Sequence, residues 1–379
     1  MSIEKIAPFT FGKIASGAHF TNREKESTHL LQNFNVGINT ILISPRRWGK
    51  SSLVKKVTES SSSKTIKYVY IDLFNIRSEQ EFYEVYVREL IKVTATKWEE
   101  RIAQAKKLFK TVIPEFTIGL SPDTEFSINL NSKEIKKAPE EILNLSEAIC
   151  KAKKIKLVIC IDEFQNISFF DEPLAFQKKL RAHWQHHKNT SYCLYGSKRH
   201  ILMELFSSPA MPFYKFGDVI FLEKIKTPYW ITFIKKRFRE TGKEISTELA
   251  EAIALRMENH PYFVQQLAQQ VWLQTKKSVT PKILEIALEN LWSHNTILFQ
   301  RETDALTNTQ LNFLRAMCDN VKQYSSSETI LNYKLGTSAN VIRIKEALEN
   351  KEIIDTVGPT IEFIDPLFKI WLTKVYFKR

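Results

Sequence analysis

Glycine and proline are scarce for a chain of 379 residues, ten and thirteen respectively. A linker-rich, low-complexity or collagen-like chain is thereby excluded, because such chains are built from these two residues. Only four cysteines occur, Cys150, Cys160, Cys193 and Cys318, and none forms a closely spaced pair. That spacing excludes a zinc ribbon and a CxxC redox site, and the thiols are expected reduced and buried. No apolar run reaches the length of a bilayer span, and Met1 to Gly12 has no basic stretch followed by a long apolar core. A cytoplasmic protein with no membrane partner is the expectation.

Acidic residues are in deficit, 42 against 55 lysines and arginines, for a net charge of +13. Such an excess favours an acidic partner, but where it lies matters more than its sum. Residues 1–70 hold eleven basic and four acidic side chains, residues 141–240 seventeen and ten, and residues 300–379 eleven and ten. The C-terminal region is therefore nearly neutral, which weighs against a simple DNA reader. Hydrophobic residues make up 43% and charged residues 26%, the proportions of a globular chain that buries a sizeable core.

Asn39-Thr40-Ile41-Leu42-Ile43 is a short apolar, β-branched run that reads as a buried strand. It leads directly into Ser44-Pro45-Arg46-Arg47-Trp48-Gly49-Lys50-Ser51, and Ser52 to Val57 then carries apolar residues at helical spacing. Strand, loop and helix in this order form a phosphate-binding loop. Free backbone N–H groups at the helix start face the loop, Lys50 reaches the terminal phosphates and Ser51 is placed to ligate Mg²⁺. The pattern GxxxxGK[ST] is met except at its first position, where Ser44 stands for Gly. A serine there is tolerated if its φ stays negative. Arg46 and Arg47 add charge that either neutralises phosphate or pairs with nearby carboxylates.

A second strand, Lys156 to Ile161, delivers Asp162 and Glu163 at its end. Ligands of parallel α/β sheets sit at the carboxyl ends of strands, so Asp162 is assigned to Mg²⁺ and Glu163 to polarising the attacking water. Three further strand patterns, Lys67 to Leu73, Ser191 to Tyr195 and Asp218 to Leu222, alternate with helical stretches. The expectation is a three-layer α/β fold with a parallel sheet. Residues 96–140 read as an insertion containing a β-hairpin, with strands Glu115 to Leu120 and Glu125 to Leu130. Residues 226–300 read as a small helical bundle. Residues 301–379 read as three helices followed by a hairpin about Gly358-Pro359, the pattern of a winged helix.

Together these segments resemble the AAA+-like P-loop ATPases of the archaeal-type family, within the signal-transduction NTPase group. The residues that carry the likeness are Phe20, Arg23 and Glu26, the run Arg46 to Leu53, Ile161 to Gln165, Gly196-Ser197, and Asn259-His260-Pro261-Tyr262. The resemblance spans nearly the whole chain. It implies a P-loop ATPase domain over 1–225, a helical lid over 226–300 and a winged helix over 301–379. It further implies ATP and Mg²⁺ bound at Ser44 to Ser52, catalytic roles for Lys50, Glu163 and Ser197 (the sensor position), and Pro261 facing the adenine. Sensors in this group often carry Asn or Thr, so a plain turn remains open for Ser197, and a helix-start proline for Pro261. An arginine finger from a neighbouring subunit in a homo-oligomer is also implied, but nothing selects between Arg181 and Arg199.

Two functions follow. The first is a nucleotide-dependent switch read by an unidentified protein partner. The second is an ATP-regulated DNA-binding protein similar to origin-recognition ATPases, with Ser338, Asn340, Arg343 and Lys345 toward a groove. Glu346 and Glu349 balance the two cations of that helix, which favours the first.

Overall fold

The computed structural model describes residues 7–95, 116–118, 128–130 and 139–378. The chain divides into two compact units. The sheet unit comprises Arg23–Ser44 and Lys50–Leu222, and the helical unit comprises Met1–Asn22, Pro45–Gly49 and Glu223–Arg379.

The sheet unit is built on β1 (Thr40–Ile43), β2 (Ile66–Asp72), β5 (Lys156–Asp162), β6 (Thr190–Gly196) and β7 (Asp218–Phe221), with β3 (Phe116–Ile118) and β4 (Ile128–Leu130) forming a separate ribbon. The five strands lie in the order β2-β5-β6-β1-β7 and every neighbouring pair is parallel. Position in the sheet explains each strand's composition. The interior strands β1 and β6 are buried at every residue, whereas on edge strand β2 the buried Ile66, Val69 and Ile71 are interspersed with exposed Lys67, Tyr70 and Asp72. A strand covered on both faces reads as a continuous apolar run, and an edge strand does not.

Helices Lys50–Ser60, Glu79–Thr94, Pro139–Lys153, Pro173–Trp184 and Arg199–Ser207 flank the sheet sequence. Ser78 begins the second of these by accepting from the Glu81 N–H, as an N-cap serine does. The largest fully buried side chains of the unit include Trp184, Tyr83, Tyr86 and Tyr192, and Trp184 stacks on Tyr192 at 4.0 Å. β3 pairs with β4 antiparallel, Phe116 opposite Leu130, which is the hairpin read within 96–140; its turn residues Ser121 to Thr124 lie outside the described residues.

The helical unit contains Thr227–Glu240, Thr247–Arg256, Pro261–Gln274, Pro281–His294 and Thr296–Asp304, then Asn308–Cys318, Ser327–Asn332 and Ser338–Asn350. The short strands β8 (Ile354–Asp355) and β9 (Glu362–Phe363) pair antiparallel as the wing, and Pro366–Trp371 closes the unit. Both wing strands are shorter than the apolar runs Ile353 to Val357 and Thr360 to Ile364 suggest. The helix starts are chemically marked: Ser246, Thr280, Thr307 and Thr337 each accept an N–H of their first turn, and Thr307 with Gln310 completes a capping box. One apolar cluster runs through the unit, from Phe9 and Trp230 to Leu348, Phe368 and Trp371. The segments read as a lid and as a winged helix thus share a core. Cys150, Cys160 and Cys193 are free and buried, whereas Cys318 is free and only half-buried, less so than expected.

Candidate active site

Three strand ends of the sheet unit converge because register forces them to. Ile43 pairs with Gly196, and Ile161 pairs with Leu194, so the residues following β1, β5 and β6 emerge on one edge. Those residues are Ser44, Asp162-Glu163 and Gly196-Ser197. The helix Lys50–Ser60 starts beside them with the free N–H groups of its first turn.

Ser44 is fully buried and stays out of the left-handed region. Its carbonyl accepts from Lys50 Nζ at 2.9 Å and its hydroxyl lies 3.3 Å from the same ammonium. The serine that departs from the phosphate-loop pattern therefore helps hold the lysine. Gly49 has a φ of +92°, a conformation L side chains rarely adopt, and a Cβ there would meet nothing within 4 Å. Backbone conformation, not crowding, requires glycine at this position.

Ser51 Oγ donates to Asp162 Oδ2 at 2.7 Å, so the two predicted Mg²⁺ partners meet. Burial pushes the Asp162 carboxyl up to about 6, against the Ser51 hydrogen bond, and the Glu163 charge raises it further. Glu163 sits at a φ of 51°, unusual for a residue with a side chain. Its backbone N–H donates to Asp162 Oδ1 at 2.8 Å. Its Oε2 accepts from Ser197 Oγ at 2.9 Å, from the Ser197 N–H at 3.3 Å and from Gln165 Nε2. Glu163 and Ser197 are thus in direct contact. Gln165 is the residue of this group to which sequence reasoning assigned no role. It lies two positions beyond the acid on the Ile161 to Gln165 run, and its burial and its contact with Glu163 come from the fold.

Gly196 is required here by close approach. A Cβ on it would lie 1.8 Å from Gln165 Oε1 and 3.3 Å from Glu163 Cα.

The loop tip Pro45–Gly49 belongs to the helical unit, and there its side chains have defined partners. Arg46 Nη1 lies 3.4 Å from Glu352 Oε2, the Arg47 guanidinium lies 4.5 Å from the Tyr262 ring centre, and Trp48 packs edge-on to His260 at 6.0 Å. For Arg46, pairing with a carboxylate is the arrangement present. Pro261 is buried at the first position of Pro261–Gln274, and His260 caps that helix by accepting the Tyr262 N–H at 3.3 Å. His260 is 4% exposed, and burial holds its imidazole down at about 3.

Among the remaining residues of interest, Arg23 pairs with Glu26 at 2.9 Å at the start of Glu24–Val36. Arg181 lies with its guanidinium 4.9 Å from the Phe216 ring centre. Among the described residues no helix is long and apolar enough to cross a membrane.

The fold and the domain organisation have known relatives. A model of the ATPase domain predominantly from Archaea matches residues 20–267, and a winged-helix domain model matches residues 297–374. No curated protein matches the chain. A Walker-type ATPase of Pyrococcus abyssi is similar in fold, with 17% identity, a TM-score of 0.65, and 94% of this chain and 97% of that one covered. The ORC2 protein of Aeropyrum pernix, solved as ADPNP and ADP complexes, is similar at 15% identity and a TM-score of 0.53, covering 91% and 90% of the two chains. With the family model spanning more than half of the sequence, the chain belongs to the P-loop ATPase family found predominantly in Archaea, and it carries a winged helix at its C-terminal end.

Proposed function

We propose that the chain binds ATP with Mg²⁺ at the loop Ser44 to Ser52 and hydrolyses it as a nucleotide-dependent switch. The observation that carries this reading is the gathering at one sheet edge of Lys50 on Ser44, Ser51 on Asp162 and Ser197 on Glu163, through bonds of 2.7 to 2.9 Å. Each group has a task. Lys50, now held by Ser44, offers its ammonium to the terminal phosphates, and the first turn of Lys50–Ser60 offers backbone N–H groups to the phosphate oxygens. Glu163, oriented through Oε2 by Ser197 and Gln165, retains Oε1 to draw a proton from the attacking water. The donor set of Ser51 and Asp162, two hard oxygens in contact, fits Mg²⁺, which would supply charge neutralisation at the phosphates.

As part of this reading, Ser197 senses the terminal phosphate through the carboxylate it shares, and Pro261 is the residue assigned to the adenine. An unidentified protein reads the nucleotide state, with a homo-oligomer as one form that partner takes. The test is Mg²⁺-dependent hydrolysis and ATP affinity of the full chain beside Lys50→Ala and Glu163→Gln. Hydrolysis lost in both, with binding lost only in Lys50→Ala, supports the assignment. Wild-type protein that binds ATP without turnover removes Glu163 from its role.

A second reading, DNA binding licensed by nucleotide, draws on the winged helix. The exposed residues of Ser338–Asn350 include Ser338, Ala339, Ile342, Arg343 and Glu346, a face with one cation and one acid. Binding to phosphates needs a cationic surplus, which this face does not carry. A steep loss of DNA affinity with salt would favour this reading; no binding at low salt would end it.

A further inference from the structure

A phosphate loop with two arginines at its tip carries a problem when no phosphate is present. In the helical unit Arg46 has an anion beside it, Glu352, whereas Arg47 lies over the Tyr262 ring. Arg46 is paired with Glu352, which stands at a φ of 56° between Ser338–Asn350 and β8. Arg47, itself at a φ of 63°, shares with Asp365 a cleft of about 650 Å³ that also includes Arg46, Arg301, Glu302 and Glu352. Asp365 is fixed in place. Its Oδ1 caps Pro366–Trp371, accepting from the Leu367 N–H at 2.8 Å and the Phe368 N–H at 3.1 Å. Burial raises its carboxyl pKa, opposed by the Phe368 and Leu367 N–H groups and then by the Arg47 charge.

We propose that Glu352 of the winged helix is an internal counter-ion that occupies Arg46 in place of nucleotide phosphate, with Asp365 a second carboxylate in the cleft it shares with Arg47, so that nucleotide binding and release of the loop tip from the winged helix are coupled. The inference rests on the nucleotide reading above. Phosphates and carboxylates want the same guanidiniums, and a bidentate-capable arginine pairs well with either. Two ligands competing for one group are linked, and the linkage is reciprocal: whatever weakens the carboxylate contact strengthens phosphate binding, and phosphate weakens the contact. The Arg46 side chain is 54% exposed and that of Glu352 34%, so their contact is weak enough for a nucleotide to displace. Glu352 lies between the helix Ser338–Asn350 and the wing strand β8, so its release would act at the junction of the two.

The test is ATP affinity by calorimetry on the full chain with Glu352→Gln, Asp365→Asn, Arg46→Gln and the Arg46→Gln/Glu352→Gln pair, beside Lys50→Ala. Asparagine retains the helix cap of Asp365 while removing its charge. Each carboxylate substitution should tighten ATP binding by about two- to fivefold, the effect of losing a partly exposed ionic competitor. A residue that merely supports the fold would not tighten binding when removed. In the Arg46→Gln background the Glu352→Gln gain should vanish. As a second measurement, hydrogen exchange of residues 352–368 in wild type should rise on adding ATP. Unchanged or weaker affinity in both carboxylate variants overturns the proposal while leaving the nucleotide site standing, provided Lys50→Ala loses binding. A wild type that binds no ATP overturns the nucleotide reading and this coupling with it.

Discussion

His260 gives the helical unit an acid sensitivity whose size follows from its burial. Its imidazole sits at about 3 against an ordinary 6.5, chiefly because it is desolvated, with the charges of Lys224 and Arg47 acting in the same direction. A histidine held low in the folded state binds fewer protons there than in the unfolded chain. Its contribution to stability is therefore complete above 6.5 and is lost as pH falls toward 3. At pH 5 the unfolded chain carries that proton and the folded one does not, a loss of about 2 kcal/mol out of about 5 kcal/mol for the full interval.

Asp365 works the other way in the same unit. Burial lifts its carboxyl to about 6 from an ordinary 3.8, opposed by the capping N–H groups of Phe368 and Leu367 and by Arg47. Its folded form binds more protons than the unfolded chain, so the stability it adds is complete below 3.8 and lost as pH rises through 6. Going from pH 7 to 5 it returns about 1 kcal/mol, which masks part of the histidine's loss. Comparing variants with wild type separates the two. Backbone hydrogen exchange in Pro261–Gln274, which reports on this unit alone, would be measured at pH 7 and 5 on wild type, His260→Gln and Asp365→Asn. Relative to wild type, His260→Gln should gain about 2 kcal/mol on acidification and Asp365→Asn should lose about 1 kcal/mol; any pH-independent cost of the substitution cancels in the comparison. A pH response of His260→Gln parallel to wild type within about 0.5 kcal/mol refutes the burial argument.

Other outcomes can be checked alongside. Gly49→Ala forces a side chain into a φ of +92°, a strain of about 1–3 kcal/mol, and equilibrium dialysis should show ATP affinity reduced at least tenfold. Gly196→Ala should displace Gln165 and Glu163, lowering hydrolysis by about tenfold or more while ATP affinity holds within about twofold. Ser197→Ala removes the 2.9 Å bond to Glu163 and should lower kcat by about tenfold with KM little changed; an equal effect on affinity would make Ser197 a binding residue instead. Trp48→Ala empties a site only 8% exposed, and denaturant unfolding should show the helical unit destabilised by about 3 kcal/mol.

Local chemistry determined a good deal of this protein by itself. The apolar runs before Ser44 and Asp162 could only be buried strands, because a continuous β-branched run has no polar face to turn to water. Gly49-Lys50-Ser51 marked where a strand gives way to a helix. Ser51, Asp162 and Glu163 were named from the phosphate-loop pattern and the strand that ends in two acids, and Ser197 only through the family resemblance. Their contacts, and the part of Gln165, belong to tertiary structure: a hydrogen bond between residues 34 positions apart is set by sheet register, which no local pattern encodes. The same holds more strongly for the loop tip. Nothing near Arg46 in sequence announces Glu352, 306 residues away, and nothing near Trp48 announces His260; only the packing of the helical unit brings these side chains within reach and buries the imidazole that makes them pH-sensitive.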